Sequence, residues 1–241
     1  MENIGLIQPR GIGDIVISLP IAKFYADRGC SVHMPIYKPF MESFQAAAPY
    51  VNFYPIEHLI DVNDFYIKPL NFLRSLNCKR IFNLMSHMST HPEFVQAPKL
   101  VDYLKFDEYK YAVSQVPFSE KWNLKITRDS KRENELFEKL VKNPKDEYIL
   151  IHRIGSNFEI PLTSFDELIK GRQIIELAEI SNNIFDWLKV IENASELFMI
   201  DSCYSNLVDQ LNLKNKKSFI FRTKNPYTPV LKGDWLHITH N

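Results

Sequence analysis

The stretch Ile4–Asp14, IGLIQPRGIGD, decides the fold of this chain. Its first part, Ile4–Gln8, is a short apolar run that predicts a buried strand, and a proline and two glycines then end the run. From Ile15 onward, apolar side chains recur mostly three or four residues apart, which predicts a helix. A strand, a tight turn and a helix in this order open a βαβ unit, so we expect a parallel sheet.

The same alternation continues through the first half of the chain. Short apolar runs separate segments with helical spacing, and prolines or glycines stand between them. The pattern predicts strands at Ser31–Tyr37, Val51–Tyr54 and Arg80–Met85, and helices at Pro39–Ala48, Ile67–Leu76 and Pro98–Leu104.

A charge-rich segment, Phe118–Glu147, interrupts this alternation, and its part Lys131–Val141 has the apolar spacing of an amphipathic helix. We expect an α/β fold of two Rossmann-like lobes with parallel sheets, residues 1–118 and 119–241, with a cleft between them. In the second lobe the pattern predicts strands at Tyr148–His152, Gln173–Glu179, Leu197–Ile200 and Lys217–Phe221, and helices at Ile184–Ala194 and Leu207–Leu211.

Composition excludes several classes of protein. The 241 residues are 45% hydrophobic, with 29 basic and 29 acidic side chains, so nothing draws the whole chain to nucleic acid or to an anionic membrane. Three cysteines without a CxxC motif argue against a disulfide framework or a structural zinc site, and they favour a cytoplasmic location. No apolar stretch approaches the ~20 residues of a membrane span, and the first residues lack a signal-peptide pattern.

The turn after the first strand is the first candidate site. Arg10, Gly11 and Gly13 lead into the predicted helix, and the glycines allow a close approach to the backbone. Asp14 follows in the first turn, where it serves either as a helix cap or as a general base. The turn is neither a complete dinucleotide-binding fingerprint nor a Walker P-loop.

A second candidate is the polar turn Asp201–Asn206, which leads from a predicted strand into a helix. Hydroxyl and backbone N–H groups at a helix start suit a phosphate, but the same residues serve equally as simple caps. The third candidate follows Tyr148–His152, where Arg153 suits a diphosphate or a surface ion pair. His152 itself is predicted to be a buried strand histidine.

Weaker signals come from three other places. His87 and His91 follow a strand at the presumed acceptor side, and we predict no metal there because no metal-binding motif accompanies them. Glu179 ends the predicted second-lobe strand Gln173–Glu179, where it either accepts hydrogen bonds from a ribose or is a solvated surface residue. A basic run from Lys214 to Lys232, interleaved with aromatic residues, leaves open either a solvated surface or contact with nucleic acid.

Three short motifs resemble glycosyltransferase family 9, the ADP-heptose:lipopolysaccharide heptosyltransferase group. The family's opening strand, Arg, Gly-Asp pair and Leu-Pro are matched by Arg10, Gly13-Asp14 and Leu19-Pro20. Its Asp-Ser/Thr-Gly donor loop resembles Asp201-Ser202, and Tyr148–Ser156 resembles the opening of its donor lobe.

The resemblance implies a GT-B fold and transfer of a sugar from a nucleoside diphosphate sugar to an acceptor hydroxyl. Asp14 would then be the base, and Ser202 with its neighbours Cys203, Tyr204 and Ser205 would bind the donor diphosphate together with Arg153. The resemblance also implies inversion at the anomeric carbon and no cofactor beyond the nucleotide sugar. The acceptor would be a glycan or, by analogy of fold, a modified DNA base.

Two alternatives stay open. Cys203 stands where the family has glycine, which favours a GT-B-like module that binds nucleotide or glycan without catalysis. A different doubly wound enzyme, such as a nucleotide-dependent epimerase, is the other alternative, although the chain lacks a GxGxxG motif.

Overall fold

A computed structural model describes residues 1–88, 91–155, 158–178, 180–221 and 227–239. The chain forms two compact units. Unit 1 comprises Met1–Thr127 with Asn225–Val230, and unit 2 comprises Arg128–Lys224 with Leu231–Asn241. The predicted boundary at residue 118 falls in a short helical turn of unit 1, Phe118–Trp122.

Unit 1 is built on a four-stranded parallel sheet, whose strands run in the order β3-β2-β1-β4. Its strands are β1 Asn3–Ile7, β2 Ser31–Tyr37, β3 Val51–Ile56 and β4 Arg80–Asn83, and its helices are α1 Ile12–Ala26, α2 Met41–Ala47, α3 Lys68–Ser75, α4 Pro98–Val101 and α5 Phe106–Val113. The chain leaves β1 toward β2, whereas β4 lies on the other side of β1. The direction of the connections therefore reverses between β1 and β4, which is where open α/β sheets bind ligands.

Helix α5 is fixed against α1 by hydrogen bonds that the sequence pattern does not reveal. The hydroxyl of Tyr111 donates to the carbonyl of Ile17 at 3.0 Å, and the hydroxyl of Tyr25 donates to the carbonyl of Ser114 at 2.5 Å. Buried side chains surround most of α1, because neighbouring elements cover it on more than one side. This packing brings Lys110, on α5, toward the loop that follows β1.

Unit 2 holds a five-stranded parallel sheet in the order β11-β10-β9-β5-β8. Its elements are α6 Ser130–Leu140, β5 Tyr148–His152, β6 Ile154–Gly155, β7 Phe158–Glu159, α7 Asp166–Ile169, β8 Gln173–Glu176, α8 Leu188–Asn193, β9 Glu196–Ile200, α9 Cys203–Gln210, β10 Lys216–Phe221 and β11 Trp235–Thr239. The chain leaves β5 toward β8 and leaves β9 toward β10, so the connections reverse between β5 and β9. The loops after β5 and β9 carry the second and third candidate sites.

The predicted α/β class and the parallel sheets are confirmed. The bounds predicted for β2 and β5 match the structure, while helix α5 and strand β11 were not predicted. The segment predicted as one helix at Ile184–Ala194 is a 3-10 turn, Ile184–Trp187, followed by α8. None of the described helices has the length and apolar character that spanning a membrane requires.

Candidate functional site

The loop after β1 folds around Gly11. This residue has φ +76°, a conformation that side chains other than glycine rarely adopt, and it stands directly before the first residue of α1. A Cβ atom at this position would lie 2.6 Å from Oδ2 of Asp14. Gly11 therefore leaves room for the Asp14 carboxylate, whereas Gly13 is an ordinary residue of the helix.

Asp14 forms a salt bridge with a buried lysine. Oδ1 of Asp14 lies 2.8 Å from Nζ of Lys110, whose side chain is 2% exposed, while the Asp14 side chain is 38% exposed. The same ammonium donates to Oε1 of Gln8 at 2.6 Å and to the carbonyl of Leu84 at 3.1 Å. Asp14 therefore combines a fixed oxygen with a side chain open to solvent, as a general base requires.

His87 lies in the same cluster, in the loop after β4. Its Nδ1 is 2.6 Å from the hydroxyl of Ser86, and its ring lies 4.7 Å from the ring of Tyr227. Burial lowers the pKa of His87, and the Lys110 ammonium lowers it further, while the Asp14 carboxylate partly offsets both effects. These effects together favour the neutral form of the imidazole.

His91 has different surroundings. Its Nδ1 lies 3.4 Å from Oε1 of Glu93, and its ring faces Phe94. His87 and His91 therefore contact different residues. Within the described ranges, no group of histidine, cysteine or acidic side chains is arranged to hold a metal ion.

A pocket of about 470 Å³ opens beside β3 in unit 1. Arg10, in the loop after β1, places its guanidinium over the ring of Phe65, 4.4 Å from the centroid, and Phe65 follows the pocket residue Asp64 in the chain. Most of the lining is apolar, and Asp64 is already paired with Lys68 at 2.7 Å. The lining residues are Pro35, Tyr54, Pro55, Ile56, Glu57, His58, Asp64, Lys68, Pro69 and Phe72.

In unit 2, Ser202 caps the first turn of α9. Its hydroxyl accepts from the backbone N–H of Tyr204 at 3.2 Å and of Ser205 at 3.5 Å, and the Ser205 hydroxyl accepts from the Ser202 N–H at 3.0 Å. This reciprocal arrangement is a capping box. The capping alternative is therefore present in the structure, and diphosphate binding by Ser202, Cys203, Tyr204 and Ser205 stays a prediction.

His152, at the end of β5, reaches the same turn. It is 6% exposed, as predicted for a buried strand histidine. Its Nδ1 lies 2.9 Å from the Ser202 hydroxyl, and its ring meets the ring of Tyr204 edge-on, 5.1 Å away. His152 therefore connects the loops after β5 and β9.

Arg153 is paired with carboxylates. Its Nε and one terminal nitrogen each donate to Glu176 at 3.0 Å, and the other terminal nitrogen donates to Glu159 at 2.5 Å and to the carbonyl of Ile160 at 3.1 Å. These hydrogen bonds raise the pKa of Arg153. Diphosphate binding by Arg153 stays a prediction, and it requires at least one of these pairs to open.

Two predictions for unit 2 remain, the ribose acceptor Glu179 and the basic run from Lys214 to Lys232. Glu179 lies outside the described residues. In the basic run, Lys216 pairs with Glu196 at 2.7 Å, and Lys217 donates to the carbonyl of Leu213 at 2.7 Å, so these two lysines support the strand that carries them.

Comparison with solved structures gives the fold. A family 9 glycosyl transferase from Veillonella parvula is similar over 99% of this chain and 87% of its own, with a TM-score of 0.62 and 11% identity. The E. coli ADP-heptose LPS heptosyltransferase II is similar over 99% and 90%, with a TM-score of 0.62 and 12% identity. E. coli heptosyltransferase WaaC, solved with ADP-2-deoxy-2-fluoro heptose, reaches a TM-score of 0.55 at 10% identity, over 99% of this chain and 93% of its own.

The fold is that of the GT-B glycosyltransferases. No family model and no curated protein sequence matches the chain. In this fold the loops after β1 and β4 of unit 1, and those after β5 and β9 of unit 2, are the places where the strand connections reverse. The predicted residues Asp14, His87 and Ser202 lie in or next to these loops.

Sequence reasoning missed Lys110 and Gln8. Lys110 lies in the segment FDEYKYAV, whose charges resemble a solvated surface. The available signal was local: the segment also contains Tyr109, Tyr111 and Val113, whose apolar side chains stand close to Lys110 in the sequence. Gln8 was seen only as the last residue of an apolar run.

Proposed function

We propose that this protein is a glycosyltransferase that moves a sugar from a nucleoside diphosphate sugar to an acceptor hydroxyl. One observation carries the proposal: on a fold shared with glycosyltransferases, the ligand-binding edge of unit 1 presents a half-exposed carboxylate held by a buried lysine. Such a carboxylate suits a general base.

In the proposed reaction, the acceptor hydroxyl loses its proton to Asp14 as its oxygen attacks the anomeric carbon of the donor. The bond between that carbon and the diphosphate oxygen breaks, and the nucleoside diphosphate leaves with the bonding electrons. Attack on the face opposite the leaving group inverts the anomeric carbon. One sugar is transferred, and one proton is released to the enzyme.

The diphosphate accumulates negative charge as it leaves. We propose that the N-terminus of α9, at Ser202–Ser205, binds it, because backbone N–H groups and the helix dipole favour an anion there. Arg153 would add a guanidinium after releasing Glu159, the more exposed of its two carboxylate partners. This arrangement needs neither a metal ion nor a cofactor other than the nucleotide sugar.

The acceptor is proposed to be an uncharged part of a glycan. The pocket beside β3 is mostly apolar, with Tyr54 and Phe72 in its wall, and the charged pair Asp64–Lys68 is internally neutral. Nothing in the described part of the basic run favours a DNA acceptor over a glycan. The cytoplasm is the proposed location.

A module that binds nucleotide without catalysis is the second candidate. The closed ion pairs of Arg153 favour it, since they occupy the guanidinium that the diphosphate would need. Both functions predict that the protein binds a nucleotide, and only the transferase predicts that it transfers a sugar.

Nucleotide binding tests both functions together. Thermal unfolding is measured with ADP, GDP, UDP, CDP and dTDP at about 1 mM; a ligand at 100 times its Kd adds about 2.7 kcal/mol and raises Tm by several degrees. We expect one nucleotide to raise Tm, and Ser202→Trp to abolish the shift. The control is Asp129→Trp, which alters the cap of α6 in the same unit and should keep the shift. Absence of any shift would refute the donor site.

A further inference from the structure

The Lys110 ammonium is fully engaged before any substrate arrives. An ammonium group has three N–H donors, and here it meets the three acceptors Asp14 Oδ1, Gln8 Oε1 and the Leu84 carbonyl at 2.8, 2.6 and 3.1 Å. Its side chain is 2% exposed, so a ligand cannot reach it without displacing one of these partners. A role as a direct phosphate or acceptor ligand is therefore disfavoured.

The three acceptors come from separate parts of unit 1. Gln8 follows β1, Leu84 follows β4 and Asp14 begins α1, while Lys110 itself lies on α5. Gln8 is fixed in turn, because its amide donates to the carbonyl of Arg10 at 2.8 Å. The ammonium thus connects the loops after β1 and β4 through Gln8 and Leu84, and it also holds one oxygen of Asp14.

The other oxygen of Asp14 is left for chemistry. Among the described residues, Oδ2 has no hydrogen-bond partner, and it lies over Gly11, where a Cβ would come within 2.6 Å. With Oδ1 held, the carboxylate can rotate little, so the position of Oδ2 is set before the acceptor binds. Preset geometry of this kind accelerates proton transfer without new contacts to substrate.

We propose that Lys110 is a positioning residue that fixes the Asp14 carboxylate for its role as base. That this orientation matters for catalysis rests on the proposed transferase function. That Lys110 holds the carboxylate rests on the salt bridge. The contribution that we assign to Lys110 is the orientation of the carboxylate. In a transfer assay, Lys110→Met should reduce kcat about 10²-fold and leave the KM for the nucleotide sugar unchanged.

A test that needs no activity uses His87 as a reporter. The charged groups that act on its imidazole are Lys110, which lowers its pKa, and Asp14, which raises it, while Tyr227 packs on its ring. The His87 pKa is measured by NMR titration in the wild type and in Asp14→Asn, Lys110→Met and the double variant. If Lys110 holds Asp14 in place, Asp14→Asn lowers the His87 pKa in the wild type and has less than half that effect when Lys110 is already Met.

Equal effects of Asp14→Asn in both backgrounds would overturn the proposal, because Asp14 would then keep its position without Lys110. Lys23→Met is the control: it removes another lysine of unit 1 that pairs with an aspartate, and it should leave the His87 titration unchanged. If Lys110→Met does not fold, Gln8→Leu replaces it in the cycle, since it removes one anchor of the ammonium and keeps the charge. Coupling without any transferase activity would refute the proposed function and leave the positioning role standing.

Discussion

Unit 1 contains two buried lysines that pair with aspartates, Lys110 with Asp14 and Lys121 with Asp107, and the two pairs differ in the exposure of the aspartate. In the pair Lys121–Asp107 both side chains are 0% exposed, and the Asp107 carboxylate also accepts from the N–H of Val230 at 2.8 Å. In the pair Lys110–Asp14 the lysine is as deeply buried, but the aspartate is 38% exposed.

The two lysine–aspartate ion pairs differ in how the carboxylate is surrounded. Around Asp107 the partners are backbone and ammonium groups of unit 1, so this pair clasps the returning segment that contains Val230. Around Asp14 one oxygen is held and the other is left open beside Gly11. A buried ion pair with both ends closed is structural, whereas one with an open carboxylate is available for chemistry.

The largest expected effect is on the closed pair. Lys121→Met leaves the Asp107 carboxylate buried without its cation, and breaking such a pair should cost about 3–5 kcal/mol of stability. Denaturant unfolding of the wild type and the variant measures this loss of stability. Asp107→Asn should cost a similar amount, and a loss below about 1 kcal/mol in both variants would mean that the clasp is not closed in solution.

Asp14→Asn should destabilise the protein through the lysine that it leaves behind. Lys110 would remain buried without a counter-charge, at a cost of about 3 kcal/mol. Adding Lys110→Met removes that charge, so we expect the double variant to be more stable than Asp14→Asn alone. Additive losses in thermal unfolding would contradict the pairing.

Gly11→Ala should strain the backbone and also displace the Asp14 carboxylate. The positive φ alone costs about 1–2 kcal/mol for a residue with a side chain. Gly29 is the matched control, because it has φ +78° and a Cβ added there would meet nothing within 4 Å. Gly11→Ala should lose more stability than Gly29→Ala, because only the Cβ at position 11 displaces Asp14 from Lys110, and it alone should shift the His87 titration.

The smallest expected effect is a pH dependence of stability. The pKa of His87 is lowered in the folded protein from its ordinary 6.5, mainly by burial, so the unfolded chain binds more protons below that pH. Stability should therefore fall as pH drops below about 6.5, and His87→Asn should flatten part of that fall. Chemical denaturation between pH 7 and 5 measures how the free energy of unfolding depends on pH. If that dependence is the same in His87→Asn as in the wild type, the pKa of His87 is not lowered by folding.

The sequence predicted the sheets well because strand signals are local. Val32, Met34 and Ile36 are buried on β2, and Ile149, Leu150 and Ile151 are buried on β5. These apolar runs identify buried parallel strands without knowledge of their neighbours. The turn around Gly11 was found for the same reason, since its glycine and the following helix are adjacent in sequence.

The parts that sequence reasoning missed depend on distant partners. Lys110 is buried because Gln8 and Asp14, about a hundred residues earlier, supply acceptors. Arg153 was predicted to face a diphosphate, and its pairing with Glu176 depends on the register of β5 with β8. From the sequence alone, charged residues are expected to be solvated, because the partners that pair with them come from distant parts of the chain.

The proposed role of Asp14 is to act as the base of a sugar transfer. The direct measurement is release of nucleoside diphosphate from nucleotide sugars in the presence of glycan acceptors, compared between the wild type, Asp14→Asn and the closed-pair variant Asp107→Asn at a temperature where all three are folded. The account predicts that Asp14→Asn loses about 10²–10⁴-fold in kcat with donor binding intact, while Asp107→Asn keeps most of its activity. Wild-type turnover in Asp14→Asn would contradict the account.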